Sequence, residues 1–114
     1  MNMIKNLFKK KYDIQKLKTD VIESLRGIYD PEIPVNIYDL GLIYNVEAFK
    51  DGNVIITMTL TTPHCPVAES MPKDVKEKAE SVGGAKSALV NLVWDPPWNQ
   101  DMMTEAARLE LGLF

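Results

Sequence analysis

Residues 54–72, VIITMTLTTPHCPVAESMP, change from one periodicity to another within a few positions. Up to Thr61 the residues alternate, with Ile56, Met58 and Leu60 on one face and threonines on the other, which indicates a strand with one buried face. From Met71 onward apolar residues recur every three or four positions, which indicates an amphipathic helix. The chain therefore passes from strand to helix around Cys65, its only cysteine.

The start of this second helix is ambiguous in the sequence, although the stripe over 71–82 and the Gly83-Gly84 stop are clear. Pro66 fits a first helical position, but Pro72 then falls inside the helix and bends it. Alternatively, Ser70 caps a later start.

Working toward the N-terminus, the return strand is preceded by a hairpin signal, Asp51-Gly52, and by a strand-like segment, LIYNVEAF, over 42–49. In that segment Tyr44, Val46 and Ala48 share one face. An ordered loop over 30–41 comes before it. An apolar stripe predicts a first helix over about 13–29, with Thr19 and Asp20 as alternative caps of a shorter helix. The stripe consists of Ile14, Leu17, Val21, Leu25 and Ile28.

Toward the C-terminus, SALVNLVW over 87–94 alternates as a third strand, and DPPWNQ over 95–100 forms a second rigid loop. Asn99 is predicted to cap a last helix with Met102, Ala106 and Leu109 facing inward, and Gly112 to end it. The order α-β-β-α-β-α predicts an α+β fold: a single compact domain with a small, mostly antiparallel or mixed three-stranded sheet and helices on one face. The exposed edges of so small a sheet favour a homodimer.

Composition narrows the classes of partner. The 114 residues are 46% hydrophobic, which suits one domain, and the net charge of −3 gives no electrostatic case for nucleic acid. No apolar run approaches the roughly 20 residues of a membrane helix, so we expect no membrane partner. A single cysteine excludes an internal disulfide and fits the reducing cytoplasm, where we expect the protein to reside.

The first twelve residues, MNMIKNLFKKKY, hold four lysines and no acidic residue. They are interpreted as a basic leader, 1–12, ahead of the domain over 13–114. A solvated segment is the simpler interpretation. A short amphipathic arm that touches a membrane or a partner is the alternative.

Cys65 is the candidate functional residue, because a thiolate at a helix N-terminus faces unpaired backbone N–H groups that lower the pKa of its thiol. The hydroxyls of Thr61 and Thr62 can donate hydrogen bonds to sulfur or to a bound ligand. A small buried hydrophobe is the competing interpretation of a lone cysteine, and His64 fits a solvent-facing loop residue. One cysteine and one histidine cannot complete a metal site, so we expect no stably bound cofactor, but transient ligation by Cys65 stays open.

Three acidic residues, Asp30, Glu32 and Asp39, lie in the loop over 30–41. They can converge on the mouth of a site, or they can cap helices and bond to turn amides.

Three segments in order carry a resemblance to a known family: DPEIPVNIYDLGLIY, TLTTPHCPVAESMP and WDPPWNQDMMTEAARLELGLF. Together they resemble the SufT/PaaD-like metal–sulfur cluster biosynthesis domain, and the closing WDPPW resembles the SufT type. The resemblance covers about residues 14–114 and implies a compact α+β fold and an accessory role in maturing iron–sulfur proteins. It places the family's functional cysteine on Cys65, its two threonines on Thr61 and Thr62, and its acidic positions on Asp30 and Glu32, with Asp39 close by.

One departure matters: PaaD-like relatives carry extra cysteines near the C-terminus, and this chain ends in ARLELGLF. The resemblance therefore favours a general assembly factor. The leading hypothesis is a non-enzymatic factor whose Cys65 transiently holds iron or an iron–sulfur cluster on its way to apoproteins. The alternative is an adaptor that recruits assembly or client proteins, with Cys65 structural. A thiol enzyme is a third hypothesis, but no second cysteine and no positioned base support it.

Overall fold

The computed structural model describes residues 2–62 and 65–112, with side chains described for 14–62 and 70–112. Within these ranges the chain forms three α-helices, three strands and one 3₁₀ turn. The helices are α1 (Asn2–Leu25), α2 (Cys65–Glu80) and α3 (Glu105–Leu111), and the strands are β1 (Ile43–Ala48), β2 (Asn53–Met58) and β3 (Ser87–Leu92). The predicted order is confirmed, with the 3₁₀ turn Gln100–Met102 added before α3.

The sheet has the order β1-β2-β3 and is mixed. β1 and β2 pair antiparallel through the predicted hairpin, with Val46 opposite Ile56. β2 and β3 pair in parallel, with Ile56 opposite Val90, because α2 carries the chain back across the sheet between them. The predicted α+β class is confirmed.

The core lies between the helices and one face of this sheet. β2 buries every second residue, β1 buries Val46, and α1 and α2 bury residues of their apolar stripes. The buried set includes Leu17, Val21 and Leu25 from α1, Val46, Val54, Ile56 and Met58 from the hairpin, and Met71, Val75 and Ala79 from α2. Burial of each large side chain contributes about 1.5–3 kcal/mol, so this layer supplies most of the driving force for folding.

The first helix differs from its prediction at both ends. α1 begins at Asn2 rather than near residue 13, and it ends at Leu25 rather than near 29. Thr19 and Asp20 lie inside it and cap nothing. The apolar stripe marked only the packed part of the helix, and lysines, which are good helix formers, continue it toward the N-terminus.

The second helix starts at the earlier of the two predicted positions. Cys65 is its first residue, Pro66 its second, and Pro72 lies inside it. Because proline has no N–H, the helix lacks one backbone hydrogen bond at Pro72. The prediction that Ser70 caps a later start is wrong.

The predicted last helix is divided in two. Asn99 caps the 3₁₀ turn, and Thr104 caps α3 by accepting from the Ala107 amide at 3.2 Å. Met103 and Ala107 are buried, whereas Ala106 is exposed and Leu109 is 63% exposed. The predicted inward face was therefore wrong, while Gly112 ends the helix in the left-handed conformation as predicted.

Across the described ranges, no helix is both long and apolar enough to span a bilayer.

Candidate functional site

Three segments that are distant in sequence meet at one end of the sheet. The Thr59 amide, just after β2, donates to the Leu42 carbonyl at 2.9 Å, and the Val93 amide, just after β3, donates to the Met58 carbonyl at 2.8 Å. The Thr104 amide donates to the Asp39 carbonyl at 2.9 Å. The acidic loop, the β2–α2 connection and the C-terminal loop therefore form one joined surface, which lies at the end of the sheet where α2 begins.

Side chains of the C-terminal loop reinforce this junction. The Trp98 indole donates to the Leu40 carbonyl at 2.7 Å, and the Tyr44 hydroxyl donates to the Pro96 carbonyl at 2.7 Å. Gly41 has a φ of +90°, and a Cβ atom there would stand 2.4 Å from the Met102 carbonyl oxygen. Only glycine allows both the turn and this close approach. The acidic loop is thus fixed against residues 96–104.

Cys65 stands at this junction as the first residue of α2, and no acidic residue occupies the first turn of that helix. The positive end of the helix is therefore not neutralised by a carboxylate from its own first turn. The Cys65 side chain and the whole of His64 lie outside the described residues. The predicted roles of these two residues stay predictions.

Thr61 and Thr62 are half-buried in the connection between β2 and α2. They follow Thr59 and Leu60, which are buried against the body of the protein. This places their backbone within four residues of Cys65 along the chain. Their predicted role as hydrogen-bond donors to sulfur or to a ligand is not tested by the structure.

Asp30 has a clear structural role. Its Oδ1 accepts hydrogen bonds from the amides of Glu32 and Ile33, both at 2.8 Å, and the residue is buried. These bonds close the turn that follows the first helix, as the turn-amide alternative predicted.

Asp39 also bonds within its own loop. Its Oδ2 accepts from the Asn36 side-chain amide at 2.8 Å, and its backbone amide donates to Asn36 Oδ1 at 2.9 Å. Glu32, in contrast, is exposed. Two of the three acidic side chains therefore accept hydrogen bonds within the loop, and Glu32 lies on the surface.

Tyr44 and Thr59 form a partly buried polar pair beneath the junction. Burial raises the pKa of the Tyr44 phenol above its ordinary value, and the nearby Thr59 hydroxyl and Asp95 carboxylate act in opposite directions, the first lowering it and the second raising it. Thr59 Oγ1 is fully buried and has no hydrogen bond of good geometry within the described part of the chain. The phenol therefore keeps its proton at neutral pH and stays a donor to the Pro96 carbonyl.

An open groove of about 410 Å³ adjoins the junction. Both loops line it, through Tyr38, Gly41, Ile43, Tyr44, Pro96, Met102 and Thr104. Its walls are largely aromatic and apolar, with the Thr104 hydroxyl and two phenols as polar groups. The groove is therefore a concave, largely apolar surface beside the junction.

No group of three or more histidine, cysteine or acidic side chains stands close enough together to hold a metal ion, among the side chains that the structure describes. Because the Cys65 side chain is outside that set, the predicted transient ligation remains a prediction.

Sequence patterns did not predict the contacts that assemble this site. The sequence pattern places Tyr44 only on the strand face that it shares with Val46 and Ala48, and it does not predict that the Tyr44 hydroxyl bonds the C-terminal loop. Loop-to-loop contacts have no periodicity. The only signal available was that both loops are rich in proline and aromatic residues, which restrict conformation.

Comparisons with known proteins agree with these observations. A family model described as "Iron-sulfur cluster assembly protein" matches residues 18–92. A Porphyromonas gingivalis "Fe-S protein maturation auxiliary factor" is 57% identical over 93 residues, covering 82% of this chain and 89% of its own. The Staphylococcus aureus "Fe-S protein maturation auxiliary factor SufT" is 36% identical over 86 residues, covering 75% and 98%.

A solved structure supports the fold independently. The crystal structure of the "Domain of Unknown Function DUF59" from Bacillus anthracis superimposes with a TM-score of 0.82 at 34% identity, covering 91% of this chain and 99% of that one. The SufT/PaaD-like resemblance carried by the three segments is confirmed.

Proposed function

The chain belongs to the family of iron–sulfur cluster assembly proteins, and from that membership we propose that it is a non-enzymatic accessory factor that helps deliver iron–sulfur clusters to apoproteins in the cytoplasm. Relatives named as Fe-S protein maturation auxiliary factors support this role. The observation that carries the proposal is the junction of the three segments, with Cys65 as the first residue of α2 at that junction.

In the proposed mechanism the Cys65 thiolate ligates iron of a cluster in transit. Binding releases the thiol proton to solvent, because the thiolate is the ligand. The unpaired N–H groups at the start of α2 stabilise the negative charge. The hydroxyls of Thr61 and Thr62 donate hydrogen bonds to the sulfur or to the cluster.

Release is a ligand exchange. A thiolate of the client apoprotein replaces Cys65 on iron, the Cys65 sulfur takes up a proton, and no electron has to move. One protein thiolate is too few for permanent cluster binding, which usually takes four. A low number of ligands therefore favours transfer over storage.

The direct test is anaerobic reconstitution of the purified protein followed by transfer to an apoprotein. We expect the wild type to accept and pass a cluster, and Cys65→Ser to lose most of both. A matched control moves the thiol to the opposite end of α2 by combining Cys65→Ser with Ser81→Cys, because Ser81 is exposed and immediately follows the helix. The relocated thiol should not restore transfer. Equal acceptance and transfer by wild type and Cys65→Ser would refute the carrier role of the thiol.

A second candidate function is an adaptor that recruits assembly proteins or client apoproteins. The groove beside the acidic loop and the exposed Glu32 favour it, because together they offer apolar and charged contacts to a protein partner. If the protein is an adaptor, we expect the Cys65→Ser variant to keep its partners in a pull-down and to keep its cellular activity. Loss of cellular activity with partners retained instead favours the carrier.

A further inference from the structure

Met102 differs from the other described methionines in its access to solvent. Met58, Met71 and Met103 are buried, and none of the three is more than 7% exposed. Met102 is only partly buried, and it lines the open groove beside the loop junction. Among the methionine side chains that the structure describes, Met102 is therefore the one that a small oxidant in solution can reach.

The Met102 sulfur lies beside a hydroxyl whose single proton has a stronger acceptor. The Tyr44 hydroxyl donates to the Pro96 carbonyl at 2.7 Å, and Met102 Sδ lies 3.5 Å from the same hydroxyl oxygen. A thioether sulfur is only a weak acceptor, so the proton goes to the carbonyl oxygen. Burial raises the pKa of the Tyr44 phenol, and the proton is therefore present at neutral pH.

Oxidation of the thioether changes the competition for this proton. Hydrogen peroxide transfers one oxygen atom to the sulfur: the O–O bond breaks, an S–O bond forms, and the rest of the peroxide leaves as water. The sulfur loses two electrons and the peroxide gains them, and the protein neither takes up nor releases a proton. The product, a sulfoxide, is polar, and its oxygen is bonded to a sulfur that lies 3.5 Å from the phenol oxygen.

We propose that Met102 is an oxidation site, and that its sulfoxide takes the Tyr44 hydrogen bond from the Pro96 carbonyl and so loosens the C-terminal loop. Tyr44 belongs to β1 and Pro96 to that loop, so the bond between them ties the loop to the sheet. The junction bonds made by the Trp98 indole and the Thr104 amide do not involve the phenol. The loop is therefore loosened and not detached.

The packing around Met102 leaves room for the added oxygen on the side of the groove. The Met102 backbone lies so close to Gly41 that a Cβ atom on the glycine would stand 2.4 Å from the Met102 carbonyl oxygen. The residue therefore cannot shift toward Gly41. The groove is open, and Tyr44 lines it together with Met102, so the space that receives the oxygen is also the space beside the phenol.

This proposal does not depend on the proposed function, because oxygen transfer to Met102 and loosening of the loop are both measured without a cluster. Its consequence for the proposed function follows from position. The loosened loop is part of the same junction at which α2 begins with Cys65.

The first test treats the full-length Cys65→Ser protein, called the parent, with hydrogen peroxide, so that thiol oxidation does not contribute. Peptide mass spectrometry with fragmentation distinguishes Met102 from its neighbour Met103. We expect Met102 to be oxidised about tenfold or more faster than the three buried methionines, because susceptibility follows exposure. Oxidation of any buried methionine as fast as Met102 would refute the proposal.

The second test measures the loop by hydrogen exchange in NMR spectra. Exchange of the Thr104 amide should become about fivefold faster after oxidation, the factor that corresponds to the loss of one hydrogen bond. Methionine sulfoxide reductases should restore the original rate. Met102→Leu has a similar volume and no sulfur, so peroxide should leave its exchange unchanged. An unchanged rate in the oxidised parent, or the same acceleration in Met102→Leu, would overturn the proposal.

Tyr44→Phe tests the transfer of the hydrogen bond itself. This variant lacks the hydroxyl, so oxidation of Met102 should not accelerate its exchange further, and equal acceleration in Tyr44→Phe and the parent would contradict the transfer. The carbon-13 signal of the Pro96 carbonyl is a second measure that needs no Tyr44 variant. It should shift when the carbonyl loses its donor, and an unshifted signal after oxidation would also contradict the transfer. Circular dichroism verifies that each variant is folded.

Discussion

The Asp30 carboxylate has one role that the structure shows and a second that the family resemblance predicts. Its Oδ1 accepts from two backbone amides in a buried turn. The same residue is one of the acids that the family resemblance places in the functional loop. The geometry of the turn depends on the Oδ1 acceptor, whereas attraction of a cation or a basic partner depends on the negative charge. Substitutions that keep one property and remove the other can therefore distinguish the two roles.

We predict that Asp30→Ala lowers the free energy of unfolding by about 1–3 kcal/mol, because it leaves both amides without their partner. Asp30→Asn keeps Oδ1 as an acceptor and removes the charge. It should stay close to wild type in a urea unfolding experiment. In the cluster-transfer assay, Asp30→Asn then reports on the charge alone.

One result of comparing the two Asp30 variants would contradict this explanation. If Asp30→Asn unfolds as easily as Asp30→Ala, the two hydrogen bonds do not explain the role of the residue. Exposed Glu32 serves as a control, since Glu32→Gln changes the same charge without a side-chain bond in the turn.

At the scale of elements, the site depends on the contact between the acidic loop and the 3₁₀ turn. Gly41 approaches the Met102 backbone so closely that an added methyl would stand 2.4 Å from its carbonyl oxygen. We predict that Gly41→Ala lowers the free energy of unfolding by about 2–4 kcal/mol, from the positive φ and the forced displacement of the turn. Denaturant unfolding measures this loss.

Gly83→Ala provides the matched control for the same chemical change. A Cβ atom at Gly83 meets nothing within 4 Å. This variant should change stability by about 0.5 kcal/mol or less. If both variants were equally stable, residues 100–104 would not be held by this contact. Fluorescence of Trp98, which bonds the Leu40 carbonyl, reports whether the loop has moved.

The elements with a regular pattern could be predicted from sequence. The alternation over 54–60 predicts β2, because one face of the strand is buried. The Asp51-Gly52 dipeptide predicts the hairpin, because the turn needs a glycine. The start of α1 could not be predicted, because Lys10 and Lys11 interrupt the apolar stripe without interrupting the helix.

In the C-terminal region the sequence offers two possible helix starts. Asn99 and Thr104 are both good caps, and the apolar residues between and after them fit two registers. Only tertiary contact decides between them: the Thr104 amide bonds to the Asp39 carbonyl, which fixes where α3 starts. The sequence therefore named candidate residues around Cys65, whose roles stay predictions, but it did not predict the junction that holds the loops together.

The whole molecule has a candidate site at one end and an open side. The loop junction and the start of α2 lie at that end, and Gly83-Gly84 follow α2 at the other. Along the side, β3 is an outer strand of the sheet. An exposed strand edge favours pairing with another chain, and two copies related by a twofold axis can pair their β3 edges antiparallel. Such a dimer leaves both ends of each copy accessible.

The backbone of β3 identifies the groups that this dimer would use. The Val93 amide points toward β2, where it bonds the Met58 carbonyl, and the Ala88 amide bonds the Glu80 carboxylate outside the ladder at 3.1 Å. Because amides alternate along a strand, the Val90 amide points away from β2. Val90→Pro removes this outward donor and leaves the β2–β3 ladder its own bonds.

We predict that the wild type has twice the chain mass of 12.9 kDa by sedimentation velocity. Val90→Pro should weaken the dimer by about 2 kcal/mol or more, because each copy loses a hydrogen-bond donor and gains a proline ring at the strand edge. Val90→Ala is the control, because it loses similar packing and keeps the amide. A wild type with the mass of one chain, or equal weakening by proline and alanine, would contradict pairing through β3. Retention of cluster transfer by a monomeric Val90→Pro variant would then show that one loop junction functions without its partner.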